Sequence, residues 1–191
     1  GTLQFTAGTP TSSTTMTMSY WVKRYTDGTS GGDNNIFVTG TGGASYIIVG
    51  FGSNYWQFQP LGGSWGSGGG ITMNVTALSR DISAWYHHVI RIDTTESTQA
   101  DRVRLYVNGE RVTDFSHEGV TGNLAEDEAL NYINESGVVQ AFGGLSGKGH
   151  GTEGADLQMA EIVFNDGQSY GPDSYGETKN GVWIPKDPSG L

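Results

Sequence analysis

The chain has 191 residues with 31 Gly, no Cys and a formal net charge of −10. That length suits one large β domain with a substantial core, and the lack of Cys removes disulfide frameworks, thiolate metal sites and cysteine nucleophiles together. The 10 Lys and Arg are scattered among 20 Asp and Glu, which excludes a phosphate-binding face: neither nucleic acid nor an anionic lipid surface is an expected partner. No apolar run approaches the roughly 18 residues of a spanning helix, so no membrane insertion is expected. The opening GTLQFTAG lacks an initiator Met and a signal-peptide pattern, and reads as a processed end or a piece of a longer chain.

Gly at about twice its usual share, beside aromatic and β-branched residues, predicts many strands joined by tight turns. Residues 14–23 (TTMTMSYWVK) alternate, with Met16, Met18, Tyr20 and Val22 on one face. Strands follow at 36–39, 46–51 and 55–59, split by Gly-rich turns, then at 71–75 and 85–93. Residues 102–107 and 110–115 flank Asn108-Gly109, a type I′ hairpin signal because both central positions need φ > 0. In the first arm Val103, Leu105 and Val107 share one face, and Arg102, Arg104 and Tyr106 the other. Segment 124–132 (LAEDEALNY) reads either as one or two helical turns capped by Asn123 or as an acidic loop. The last strands fall at 138–142 and 157–164, and residues 172–175 read as a short turn with Pro at its first position. Residues 1–180 are assigned to the folded domain. Residues 181–191 (GVWIPKDPSGL), with no period, form a strap over it or a linker leaving it. The pattern is all-β: a two-sheet antiparallel β-sandwich of jelly-roll type.

Two stretches carry a family resemblance. SAWYHHVIRIDTTESTQADRVRLYVNGERVTDF, from Ser83 onward, closely resembles the core of laminin G-like, concanavalin A-like domains, where a Trp-x-His-x-Val strand leads into an RLYVNG hairpin. AEIVFNDGQSYGPDSYGETKNGVWIPK, residues 160–186, is similar to the closing segment of such domains in tailed-phage structural proteins, and SYWVKR, from Ser19, to their early inner strand. The similarity runs from Leu3 to Lys186 and lapses in the acidic region 118–128 and the Gly-rich loop 61–70. It implies a concanavalin A-like sandwich acting as a non-enzymatic module at the virion surface of a tailed phage: a fibre, decoration or tail domain. Its implied partners are other virion proteins and host cell-surface glycans, in a homo-oligomer such as a trimer. A capsid or tail domain that clamps neighbouring subunits and binds no sugar fits the same resemblance.

Catalysis is not expected. Glycanases of this architecture place two Glu and an Asp on one inward strand face, spaced Glu-x-Asp-x-x-Glu, and no such motif occurs. Glu126-Asp127-Glu128 are consecutive, while Glu161 and Asp166 straddle a strand end. His87 and His88 are adjacent on a strand and point to opposite faces, which defeats chelation; they read as hydrogen-bonded histidines in or beside the core. No organic cofactor is implied. For Ca²⁺, Asp33, Asn34 and Asn35 form one candidate loop and Asp166 with Gly167 another, although the same residues are ordinary turn formers. Trp21 and Trp85 are expected in the core. Trp65, flanked by GGS and GSGGG, is a bulky ring on a Gly-rich loop and the first carbohydrate-binding candidate, with Trp56 and Tyr55 at a turn-to-strand junction as the second. Burial against a neighbouring subunit is the equal alternative for these rings.

Overall fold

The computed structural model describes residues 1–26, 34–42, 45–52, 55–61, 70–75, 78–115, 119–144 and 156–191. Among them the strands are β1 (Leu3–Thr6), β2 (Thr15–Arg24), β3 (Asn34–Gly42), β4 (Ser45–Phe51), β5 (Trp56–Leu61), β6 (Gly70–Val75), β7 (Tyr86–Asp93), β8 (Val103–Val107), β9 (Glu110–Arg111), β10 (Gly119–Asn123), β11 (Val139–Phe142), β12 (Leu157–Asp166), β13 (Gly176–Lys179) and β14 (Val182–Pro185). A larger sheet runs β1-β11-β3-β4-β5-β6-β10, a smaller one β12-β2-β7-β8-β9, and β13 pairs with β14 alone. All pairings are antiparallel. The fold is therefore the all-β two-sheet sandwich that the alternation predicts.

The core lies between the sheets. Met16, Met18, Tyr20 and Val22 of β2, Ile90 and Ile92 of β7, and Val103 and Leu105 of β8 meet Phe37, Val49, Phe51, Phe58 and Met73 of the larger sheet. Each such side chain stabilises by roughly 1.5–3 kcal/mol through burial. The segment 124–138 closes one end, inserting Leu124, Leu130 and Ile133. It forms no helix. Asp127 sits at φ 58°, and the backbone bonds to the β7–β8 connection instead: Arg102 Nη1 donates to the Leu124 carbonyl (2.7 Å) and Thr94 Oγ1 to that of Glu128 (2.7 Å). An acidic stretch with three core anchors is held in place more effectively by those donors than by its own helical bonds.

β2 is buried on both faces, for Thr17, Ser19 and Trp21 are covered as fully as the core side. The cover is the chain's own C-terminal segment, a third layer on the outer face of the smaller sheet. Thr17 Oγ1 donates to the Gln168 carbonyl (2.8 Å) and accepts from the Tyr170 N–H (2.9 Å). Arg91 bonds Ser169, and the Tyr175 hydroxyl donates to Asn165 Oδ1 at 2.6 Å. β13 and β14 are joined by Asn180 (φ 53°) and Gly181 (φ 78°), a second type I′ turn. The expected boundary between 180 and 181 thus cuts through a turn. Trp183 of β14 lies on Gly109 and Gly176, where a Cβ would approach its ring to 2.7 and 2.5 Å.

Two further expectations need correction. Trp85 precedes β7 and is 39% exposed, so it is not a core residue. The second hairpin arm ends at Arg111, because after Val112 the chain leaves the smaller sheet to become β10 of the larger one.

Candidate binding cleft

Where β8 and β9 edge one sheet and β6 and β10 the other, the sandwich stays open as a cleft of about 490 Å³. Met73, Val103, Val112 and Phe115 supply an apolar wall, and Gln99, Arg104, Arg111 and Thr113 the polar groups. The hairpin explains this mixture. Val103 and Leu105 turn into the core, which sends Arg104 outward, and the register places Arg111 opposite the outward Tyr106. Both guanidinium groups converge on one oxygen of Asp101, Arg104 Nε at 3.2 Å and Arg111 Nη2 at 2.8 Å. Arg111 Nη2 also donates to the Ala100 carbonyl at 2.8 Å. Glu96 joins Arg104 (3.3 Å) to Arg91 (2.8 Å). The Arg111 bond, with help from Arg104, holds the Asp101 carboxyl below its ordinary range. Asp101 and Glu96 thus serve as braces for arginines. Among the described residues no carboxylate lines the cleft.

The sequence-derived candidates fall elsewhere. Trp56 is a correction: it is 1% exposed, between Phe51 and Val75 in the sheet, and its ring belongs to the core. Tyr55 is half-buried, its ring packed on Gly52. Trp65 lies outside the described residues; Leu61 and Gly70, which flank its loop, stand at the ends of β5 and β6 opposite Trp56. Trp56 and Tyr55 therefore do not form an exposed platform together.

The metal candidates are also separated. Asp33 lies outside the described residues. Asn34 Oδ1 accepts the Asp156 N–H (2.9 Å) beside the start of β12, whereas Asp166 ends that 10-residue strand, about 30 Å away. Asn35 is buried. Asp166 is a further correction, since its carboxylate is occupied by donors: the Thr11 N–H (2.8 and 3.0 Å), the Thr11 hydroxyl (2.9 Å) and Asn134 Nδ2. Burial raises this carboxyl, but those donors outweigh it and leave it below the ordinary range. A carboxylate so engaged fastens the β1–β2 loop to β12 and has no lone pairs facing a cation. No group of three or more His, Asp or Glu suited to a metal occurs among the described residues.

The two adjacent histidines do point to opposite faces. His88 lies in the core, bonded to Ser79 Oγ (2.8 Å) and facing the Tyr20 hydroxyl (3.3 Å). His87 lies under the C-terminal layer, bonded to Ser19 Oγ (2.8 Å) and to Trp183 Nε1 (2.9 Å). His117 and His150 lie outside the described residues.

A family model described as the concanavalin A-like lectin/glucanases superfamily, of laminin G type, matches residues 1–145. The chain belongs to this superfamily. The match ends before β12, so a strand of the smaller sheet and the whole third layer lie beyond it. Searching curated proteins by sequence yields no match. Among solved structures, the fold is similar to a heptameric SAP-like pentraxin of Limulus polyphemus (14% identity, TM-score 0.54, covering 85% of this chain and 68% of that one). It is also similar to domains LG4-5 of the mouse laminin α1 chain (10%, 0.53, 88% and 40%). A third is the CBM40 domain of the Ruminococcus gnavus IT-sialidase, solved bound to α2,3-sialyllactose (13%, 0.52, 85% and 90%). At such identities the laminin G-like likeness establishes the fold. Nothing in the sequence marks the cleft, whose lining comes from β6, β8, β9, β10, the turn at 99–100 and residues 112–115. Only the outward Arg104 and the charged Arg111 beside the Asn-Gly turn hint at a polar rim.

Proposed function

We propose that this chain is a non-enzymatic glycan-binding module whose ligand sits in the edge cleft, carried at the virion surface of a tailed phage as a fibre, decoration or tail domain. One observation carries the binding half: the described lining joins an apolar wall to amide, hydroxyl and guanidinium donors and holds no carboxylate. A pyranose offers matching groups, a C–H face and a rim of hydroxyls, and sites of roughly 300–1,000 Å³ suit small ligands. A domain of the same architecture, the CBM40 above, was captured with an oligosaccharide. The phage setting is supported by the resemblance of residues 160–186 and by an acidity that favours a surface protein.

A glycan array with wild type, Phe115→Ala and Trp65→Ala tests the reading. Signal lost in Phe115→Ala and kept in Trp65→Ala places the sugar in the cleft, and the converse moves it to the 62–69 loop. No signal on any glycan removes the reading. Labelling of purified particles by an antibody to this domain tests the virion setting. The subunit-clamping alternative is favoured by one feature, the edge strand β1, where Leu3 is 59% and Phe5 39% exposed. A Phe5→Lys variant that dissociates an oligomer in light scattering would support it.

A further inference from the structure

We infer that the open edge of the larger sheet is an assembly surface whose partner is a second copy of this chain, paired antiparallel through β1 about a two-fold axis at Phe5. The inference is independent of ligand binding in the cleft, and it gives the subunit-clamping alternative a named partner. β1 ends the larger sheet, with β11 on one side and no strand on the other among the described residues. Ala7 donates its N–H to the Val138 carbonyl (3.0 Å) and accepts the Gly137 N–H (2.8 Å), so its backbone groups point to the β11 side. Backbone direction alternates along a strand, and Phe5 and Leu3 follow Ala7. Gln4 and Thr6 therefore turn their N–H and C=O groups to the open edge. No residue from Gly1 to Pro10 carries a charged side chain, so nothing there resists a second strand. The neighbouring edge, β12 of the smaller sheet, is no such template: a bulge between Ala160 and Val163, with Glu161 at φ 48°, breaks its line.

The edge carries a knob and a hole at matching spacing. Leu3, opposite Phe142, shares the inner face with Phe5, whose ring meets Phe164 edge-on at 5.6 Å. Leu3 is 59% exposed, an apolar side chain that its own molecule leaves uncovered. Further along the strand, Phe5, Ala7, Gly8, Asn134 and Phe164 line a hollow of about 360 Å³. Asp166, also on its wall, is already engaged by Thr11 and Asn134. A two-fold axis at Phe5 pairs Gln4 with the partner's Thr6, joining their outward backbone groups, and opposes the two Phe5 rings. The same register sets the partner's Leu3 opposite Ala7, at the hollow, and symmetry repeats the contact. An axis at Gln4 or Thr6 would set that Leu opposite Phe5 or Thr9, which flank the hollow, and not opposite the small Ala7 between them. Knob and hole thus select one register.

Light scattering on the whole chain, from micromolar to millimolar concentration, tests this. The mass should rise from 20.3 kDa towards twice that value. Raised salt should tighten the dimer, because each copy carries −10 and the paired segment no charge. Leu3→Ser should weaken dimerisation at least ~10-fold and leave melting of the monomer unchanged. Thr6→Pro removes an outward N–H that serves no bond within the chain, and should weaken it likewise by breaking the strand pairing. Phe5→Cys, in a chain with no other Cys, should oxidise to a covalent dimer, since opposed residues at such a site lie about 4.5 Å apart at Cα. Gln4→Cys should not, because its counterpart stands two residues along the partner strand, out of disulfide reach. A folding defect in Thr6→Pro leaves Leu3→Ser and the salt response decisive. A chain monomeric at every concentration overturns the inference and leaves the edge to a strand of another protein. An oligomer indifferent to Leu3→Ser and Thr6→Pro, or one loosened by salt, overturns it too. Either failure leaves the glycan-array result standing.

Discussion

Acidification from pH 7 to pH 5 tests how the C-terminal layer and the core beneath it are held. His87 is 1% exposed, with the Trp21 ring stacked on it at 5.0 Å and 19°. The Trp183 indole meets it nearly coplanar, at 23°, and donates Nε1–H to Nδ1 at 2.9 Å. That bond makes Nδ1 the acceptor and leaves Nε2–H to donate to Ser19 Oγ. A proton added at Nδ1 would set two donors against each other. Burial lowers His87 from 6.5 to about 4, and burial together with the neighbouring His87 lowers His88 from 6.5 to about 3. Both folded values lie below the unfolded one, so the unfolded chain takes up protons first as pH falls. The stabilisation is complete above pH 6.5 and is lost progressively as pH drops towards 4 and 3. At pH 5 each histidine accounts for a loss of about 2 kcal/mol, roughly 4 kcal/mol for the pair. Asp93 and Asp166 are held below their ordinary range and titrate beneath this window. Urea unfolding at the two pH values gives the difference, and the Trp183 indole N–H resonance reports the latch directly. His87→Gln should halve the pH dependence, leaving the share of His88. Equal stability at pH 7 and pH 5, or a His87 titrating near 6.5 in the folded protein, would refute the reasoning.

Gly176→Ala brings a Cβ to 2.5 Å from the Trp183 indole, at a backbone angle any residue accepts. It should cost about 1–3 kcal/mol, read as a lower urea midpoint, by lifting Trp183 off His87. Asp166→Asn replaces an acceptor oxygen with an NH₂ group among the donors of Thr11 and Asn134, and should lower stability at pH 7 by about 2 kcal/mol. The wild-type advantage should disappear as pH falls through the lowered carboxyl value. Millimolar Ca²⁺ should leave the melting of both proteins unchanged; a Ca²⁺-dependent rise confined to wild type would restore Asp166 as a ligand.

The legible parts of the molecule are those set by local chemistry. Met16, Met18, Tyr20 and Val22 announce an inward face because a strand alternates. Asn108-Gly109 announces a hairpin because both residues sit at positive φ, 49° and 86°. The same dipeptide at 180–181, between GETK and VWIP, carried the same signal for β13 and β14, weakened by short arms and a proline. What alternation cannot reveal is the cover supplied by a distant segment. Alternation puts Thr17 and Ser19 on the outer face, and only tertiary structure shows residues 168–183 lying over that face. Trp56 and Trp85 differ for a related reason. A ring at a strand's start is buried or exposed by the face and register it meets, and Trp56 falls between Phe51 and Val75. The cleft was illegible because its walls are brought together from both sheets.

The arrangement of edges bears on how binding and assembly divide the molecule. The outer face of the smaller sheet is occupied by the C-terminal layer, so a ligand there would have to displace Trp183 and Tyr175 from their bonds to His87 and Asn165. The edges differ. At the cleft, β9 is two residues long and both are charged, Glu110 and Arg111, a pattern that discourages pairing with another strand. At the far side β1 reads LQFT, uncharged, with all four residues exposed. A strand of that kind accepts a neighbour, whereas the blunted edge beside the cleft keeps a pocket accessible. On the two proposals, glycan binding and subunit clamping would therefore not compete for one surface. They call on opposite edges, and Phe5→Lys and Phe115→Ala should separate them: the first should alter assembly with ligand binding intact, the second the reverse.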